Sequence, residues 1–275
     1  MATTVLLFAT TAHARDKNFY VYISFGQSNM EGYPGIEERD KGSIDERFQV
    51  LTAVDFPLLS REKEHWYPAV PPLVRPGTGL GPSDYFGRTM VARLPAKIKV
   101  GIVNVSVAGC KIELFDKDNY ASYAETAPGW MKGIIAGYGG NPYQRLVDLA
   151  RLAQKDGVIK GVLLHQGESN TGDREWPSKV KRIYDNLMKD LKLKPKNVPL
   201  LVGQLVDKEQ NGACASMNAL IDELPKTIPT AHVISSAGCE GRPDRLHFTP
   251  AGYRLLGTRY GETMLSLLGY PPRTK

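Results

Sequence analysis

The sequence predicts an α/β fold, a three-layer sandwich with a five-stranded parallel sheet and helices on both faces. Two observations carry this reading. Short runs rich in β-branched and aromatic residues alternate along the chain with longer segments of helical periodicity. No linker, internal repeat or composition shift divides the chain, so residues 15–275 are expected to form one domain.

The elements follow in order. Phe19 to Phe25 (FYVYISF) has no turn residue inside it and reads as a buried strand. Pro82 to Leu94 carries Tyr85, Phe86, Met90 and Leu94 at helical spacing, and Lys99 to Val107 is the second strand. Asn141 to Lys155 is an amphipathic helix with Leu146, Leu149, Ala150 and Ala153 on one side. Val158 to His165 is the third strand, and a basic helix from about Pro177 to Leu193 follows it. Leu200 to Val206 is the fourth strand, Cys214 to Ile228 a helix stopped by Pro229, and His232 to Ser236 the fifth strand. The last helix starts at Pro250 behind the N-cap Thr249. Residues 34 to about 80, with Trp66 and Tyr67, and 111 to about 140, with Trp130 and Tyr138, are too long for simple connections. Both leave the carboxyl ends of strands, where open α/β sheets bind ligands.

Composition narrows the class. With 275 residues, 42% of them hydrophobic and 23% charged, the chain is neither collagen-like nor low-complexity nor disordered. Its formal charge is +6, and the densest basic stretch runs from Lys179 to Lys196. On a helix striped by Ile183, Leu187 and Leu191, those lysines form a solvated face. A single aromatic, Tyr184, stands among them, too few for a stacking surface, so no nucleic-acid partner is expected. The first fourteen residues, MATTVLLFATTAHA, hold no Lys, Arg, Asp or Glu and end in the small-x-small pattern of a signal-peptidase site. A secreted or periplasmic protein is therefore expected, and no run approaches the roughly 18 apolar residues of a membrane span. Cys110, Cys214 and Cys239 make no metal spacing; in an oxidising compartment Cys214 and Cys239 are the pair available to form a disulfide.

Chemistry is concentrated at the strand ends. The first strand runs into Gly26-Gln27-Ser28-Asn29-Met30-Glu31-Gly32. A serine there suits a nucleophile whose own amide helps bind an oxyanion, and equally suits a glycine-rich turn with a capping serine. Neither GxSxG nor a nucleotide-binding glycine motif is present. Asp244-Arg245-Leu246-His247 places a carboxylate three residues before an imidazole, a spacing that can hold Nδ1–H and leave Nε2 as a base. Val107-Ala108-Gly109-Cys110 and His165-Gln166-Gly167-Glu168-Ser169-Asn170 offer backbone and side-chain donors for an oxyanion.

FGQSNMEG, NVSVAG, LHQGESN and DRLHFTPAGY together resemble the four blocks of the SGNH/GDSL hydrolase superfamily. The closest similarity is to its sialate O-acetylesterase-like branch, carbohydrate esterase family six, which includes acetylxylan esterases. The blocks are in order and cover Phe19 to Leu268. The resemblance implies a flavodoxin-like SGNH hydrolase fold and a serine esterase with no metal or organic cofactor. It implies Ser28 as nucleophile, His247 as general base and Asp244 as its orienting acid. The amides of Ser28 and Gly109 would form the oxyanion hole. The superfamily's GxND is replaced here by HQGE, so Gln166 is the expected third donor, with Asn170 the alternative, and Glu168 competes with Asp244 to support His247. Asn29, Asn170, Trp66 and Trp130 are the expected contacts to an acetylated carbohydrate, acetylxylan being favoured over sialate. A catalytically silent carbohydrate-binding protein and a lipase or thioesterase are the alternatives on this fold.

Overall fold

The computed structural model describes residues 14–33 and 35–270. The expected signal segment falls outside these residues except for Ala14. Seven strands form one sheet: β1 (Phe19–Gly26), β2 (Phe48–Leu51), β3 (Trp66–Pro68), β4 (Lys99–Ser106), β5 (Val158–His165), β6 (Leu200–Gly203) and β7 (Ala231–Ile234). Their spatial order is β3-β2-β4-β1-β5-β6-β7. All neighbours pair parallel except β3, which runs antiparallel to β2 at the edge.

The five expected strands are all present, but the sheet has seven and is mixed. The two additions lie inside the stretch read as a long loop. Phe48-Gln49-Val50-Leu51 is only four residues long and becomes a strand by pairing with β4, a contact between distant parts of the chain. The helix expected from Cys214 to Ile228 is also broken, into turns at Ala215–Met217, Asn218–Asp222 and Leu224–Thr227. Pro225, without an N–H, interrupts any continuous ladder there. In the 111–140 stretch two short helices occur, Tyr120–Thr126 and Gly129–Gly137.

Strand alternation sorts the core into two layers. Val21, Ile23 and Phe25 of β1 pack with the helices Pro142–Asp156 and Trp176–Asp190. Tyr22, on the opposite face, packs with the helices Pro82–Arg93 and Pro250–Leu267. Thr249 caps the last helix by accepting from the Gly252 N–H at 3.2 Å, and Asn141 caps its own from Gln144 at 3.0 Å. The last helix lies close on Pro82–Arg93 because Gly257 and Gly261 lack side chains. A Cβ at Gly257 would stand 2.4 Å from the Pro82 carbonyl oxygen.

Register places the functional rim. Gly26 of β1 lies opposite Ser106 of β4 and His165 of β5, so three central strands end together. The segments carrying Ser28, Gly109 and Glu168 leave the sheet from that line. The Asp244–His247 turn reaches the same rim from beyond β7.

Candidate active site

Ser28 opens a single helical turn, Ser28–Glu31, directly after β1. Its Oγ lies 2.9 Å from His247 Nε2, and His247 Nδ1 lies 2.8 Å from Asp244 Oδ2. The other carboxylate oxygen, Oδ1, accepts from the backbone N–H groups of Leu246 and His247, both at 2.9 Å. Burial works to raise the Asp244 pKa, but these N–H groups and the imidazole outweigh it and hold the carboxyl below its ordinary value. Asp244 therefore stays ionised and presents a fixed acceptor to Nδ1. Arg245, between them, has φ 63°. That left-handed conformation costs roughly 1–2 kcal/mol. Bonds from the Ala213 N–H to the Arg245 carbonyl, 2.9 Å, and from Arg245 Nε to the Asn211 carbonyl, 2.8 Å, offset it.

The imidazole is also held by its face. Tyr33 stacks on it with ring centroids 3.9 Å apart and planes 22° from parallel. The Arg242 guanidinium lies 5.0 Å from the Tyr33 centroid.

The serine faces a cleft of about 530 Å³ whose walls include Gln27, Tyr33, Arg75, Gly109, Trp130, Ser169, Cys214 and Leu246. The N–H groups of Ser28 and Gly109 have no acceptor among the described residues and border this space. Gly109 has φ 66°, which glycine adopts without strain, and Ser169 Oγ donates to its carbonyl at 2.9 Å. The third expected donor needs correction. Gln166 is fully buried; its amide nitrogen bonds Asn170 Oδ1 at 2.7 Å, Gln27 Oε1 at 3.2 Å and the Cys110 carbonyl at 3.3 Å. Its oxygen accepts from Trp176 Nε1 at 2.5 Å. Gln166 thus has no group to offer substrate.

Gln27 has one. Its Oε1 accepts from Gln166 Nε2 and, at 3.4 Å each, from the N–H groups of Gly167 and Ser169. Those donors fix the orientation of the amide, leaving Nε2 as the end without a protein partner among the described residues. The residue stood in view beside Ser28, but only the fold reveals which end of its amide is taken.

Other expectations are redistributed. Glu168 makes no hydrogen bond to His247. Its Oε1 accepts from Asn29 Nδ2 at 2.5 Å, and its Oε2 has no partner among the described residues. Burial pushes its pKa up to about 7 against the opposing Asn29 hydrogen bond. Asn29 is buried and bonded to Glu168, the Leu246 carbonyl and Tyr253, so it is no substrate contact. Asn170 is likewise committed: Oδ1 accepts from the Ile112 N–H, and Nδ2 donates to Glu113 and Asp173. Trp66 lies at the opposite end of the sheet, against the Phe19 ring and bonded to Asp156. Trp130 does border the cleft, 58% exposed, with its ring edge over Gly109. The three cysteines are all free, so the Cys214–Cys239 pairing that the sequence left open is not made; Cys214 Sγ donates to the Glu168 carbonyl at 3.6 Å.

The 34–80 stretch supplies residues with no legible signal in the sequence. Arg75 Nε donates to the buried Glu31 at 2.6 Å, and both border the cleft. Burial raises the Glu31 pKa, with Arg75 opposing it.

A sheet of this order, with a serine, histidine and aspartate brought together at one rim, is the arrangement that the resemblance to SGNH hydrolases implies. The family model described as carbohydrate esterase, sialic acid-specific acetylesterase, matches residues 18–266, and the chain belongs to that family. Among solved structures, a protein from Arabidopsis thaliana is similar with 21% identity and TM-score 0.69 over 91% of this chain and 99% of that one. A carbohydrate acetylesterase from Xanthomonas citri has 17% identity and TM-score 0.64 over 90% of this chain. The match spans 56% of that longer chain. NanS has 16% identity and TM-score 0.63 over 93% of this chain and 99% of its own. At these identities the likenesses establish the fold.

Proposed function

We propose that this protein is a secreted carbohydrate O-acetylesterase that removes acetyl groups from polysaccharide hydroxyls, acetylxylan-type, through an acyl-enzyme on Ser28. The observation that carries the reading is the hydrogen-bonded series Ser28–His247–Asp244 opening on the cleft. Ser28 Oγ attacks the acetyl carbonyl carbon while His247 Nε2 takes the hydroxyl proton. The N–H groups of Ser28 and Gly109 and the Gln27 amide hold the oxyanion. The bond to the sugar oxygen breaks, and His247 returns the proton to that oxygen. Water, deprotonated by His247, then releases acetate and restores the serine.

The exposed Trp130 indole beside the serine supports a sugar substrate, since such faces stack on pyranose rings. The apolar run Val5 to Phe8 and the small-x-small Ala12-His13-Ala14 support export. A second reading, an O-acetylated sialic acid, is favoured by Arg75. Its guanidinium stands in the cleft wall, where it suits a substrate carboxylate.

The test is acetate release from acetylated xylan, an O-acetylated sialic acid and long-chain p-nitrophenyl esters, by the wild type and Ser28→Ala. Release from an acetylated glycan, lost in Ser28→Ala, supports the proposal and names the substrate class. Preference for long acyl chains, or activity surviving Ser28→Ala, overturns it.

A further inference from the structure

We propose that Asn29 sets the distance between Ser28 and His247, tying the histidine's turn to the serine's turn through the Leu246 carbonyl, with Glu168 and Tyr253 locking its amide. The inference rests on the Ser28–His247 reading above and assigns a positioning device to that site.

Asn29 directly follows the serine, and the Leu246 carbonyl belongs to the peptide that enters His247. Asn29 Nδ2 donates to that carbonyl at 2.9 Å and to Glu168 Oε1 at 2.5 Å, while Oδ1 accepts from the Tyr253 hydroxyl at 2.6 Å. Every polar site the fold offers to this amide is thereby matched. A carbonyl and a carboxylate need donors, a phenol can supply one, and no flipped amide satisfies all three. The partners belong to three elements, the turn after β5, the Asp244–His247 turn and the last helix, each more than 130 residues from Asn29 in sequence. Asn29 is 1% exposed, so water does not compete for these bonds.

The other restraints on the histidine turn lead elsewhere. Asp244 closes the turn on itself, Arg245 ties it to residues 211–213, and the His247 carbonyl accepts from the Arg242 N–H at 2.7 Å. Among the side-chain bonds to the turn's backbone, the one from Asn29 is made by the serine's own turn. Glu168 acts on this bond at one remove. Its carboxyl accepts from Nδ2 while Tyr253 donates to Oδ1, and it makes no hydrogen bond to the imidazole. A misplacement of reacting groups by about 1 Å costs on the order of 10²-fold in rate, so a loosened Leu246 carbonyl reads out in kcat.

The experiment compares Asn29→Ala, Glu168→Ala, their double variant, Glu168→Gln and Tyr253→Phe. It measures kcat and KM on p-nitrophenyl acetate, with thermal melts alongside. Asn29→Ala is expected to lower kcat about 10²-fold with KM within about threefold. Glu168→Ala lowers kcat by about 10-fold, and the double variant falls no further than Asn29→Ala alone, because both act through one amide. Glu168→Gln, which keeps an acceptor oxygen, restores kcat to within about threefold of wild type. An Asn29→Ala enzyme within threefold of wild type overturns the proposal, as does an additive double variant. If Asn29→Ala does not fold, the others decide: a slow Glu168→Ala rescued by Glu168→Gln, with a slow Tyr253→Phe, supports it. Wild-type rates in both Glu168→Ala and Tyr253→Phe sink it. Ser28→Ala on the same ester separates the two levels. Activity there removes the site reading itself, whereas an inert Ser28→Ala beside a fast Asn29→Ala removes only the role of Asn29.

Discussion

Replacing Gln27 by alanine tests the proposal that its amide, in place of that of Gln166, supplies an oxyanion donor. Gln27→Ala removes Nε2 from the cleft and Oε1 from three donors, at 3.2, 3.4 and 3.4 Å. The two effects separate. The lost bonds are long, so their loss should lower stability by only about 1–3 kcal/mol in total. Loss of one preorganised oxyanion donor lowers kcat by about 10²–10³, equivalent to about 3–4 kcal/mol of the barrier. Because the donor meets the oxygen chiefly after charge develops, KM should move little. The assay is steady-state release from p-nitrophenyl acetate, with the melting temperature as a folding control. Gln166→Ala serves as the contrast: it lies beneath the cleft and should cost stability more than rate. A folded Gln27→Ala enzyme within threefold of wild-type kcat, or a larger kcat loss in an equally stable Gln166→Ala, would refute the assignment.

Three further outcomes follow from the same geometry. Asp244→Asn should lower kcat by about 10⁴, since the amide favours the wrong imidazole tautomer; Glu168→Gln should cost at most about threefold, and the reverse ranking in ester kinetics would exchange their roles. Burial pushes Asp84 and Glu168 from 3.8 and 4.5 up to about 7. Between those limits the folded chain holds protons that the unfolded chain has lost, so their contribution makes stability fall as pH rises from about 4 to about 7. Asp84→Asn should flatten that fall in urea midpoints taken across the window, and an unchanged slope would contradict it. Gly257→Ala should cost about 1–3 kcal/mol by driving a methyl into the Pro82 carbonyl, read as a drop in melting temperature with the chemistry unaffected.

Much of the architecture was legible in local pattern. β1, β4 and β5 are long runs of buried apolar residues, and such runs announce themselves because both of their faces meet a core. The last helix was equally plain, since Thr249 and Pro250 act within a single turn. β2 and β3 were not legible. At four and three residues, their hydrogen bonds come from each other and from β4, and nothing nearby in sequence records that pairing. Trp66 and Trp130 are alike as sequence signals, an indole in a long loop, yet one packs at the far end of the sheet and the other borders the cleft.

The sequence by itself determined the strand–helix alternation, the serine at the end of the first strand and the aspartate three residues before the histidine. Each of these is a short-range fact: a periodicity, a cap or a turn closed within four residues. Tertiary structure alone decided that Ser28 meets His247 across 219 residues of chain. It also decided that Gln27 rather than Gln166 faces the cleft, and that the Glu168 carboxylate bonds Asn29 rather than His247. Those outcomes depend on which end of a buried amide or carboxyl is already satisfied. That is settled by donors and acceptors brought together from distant strands, whose register no local pattern specifies.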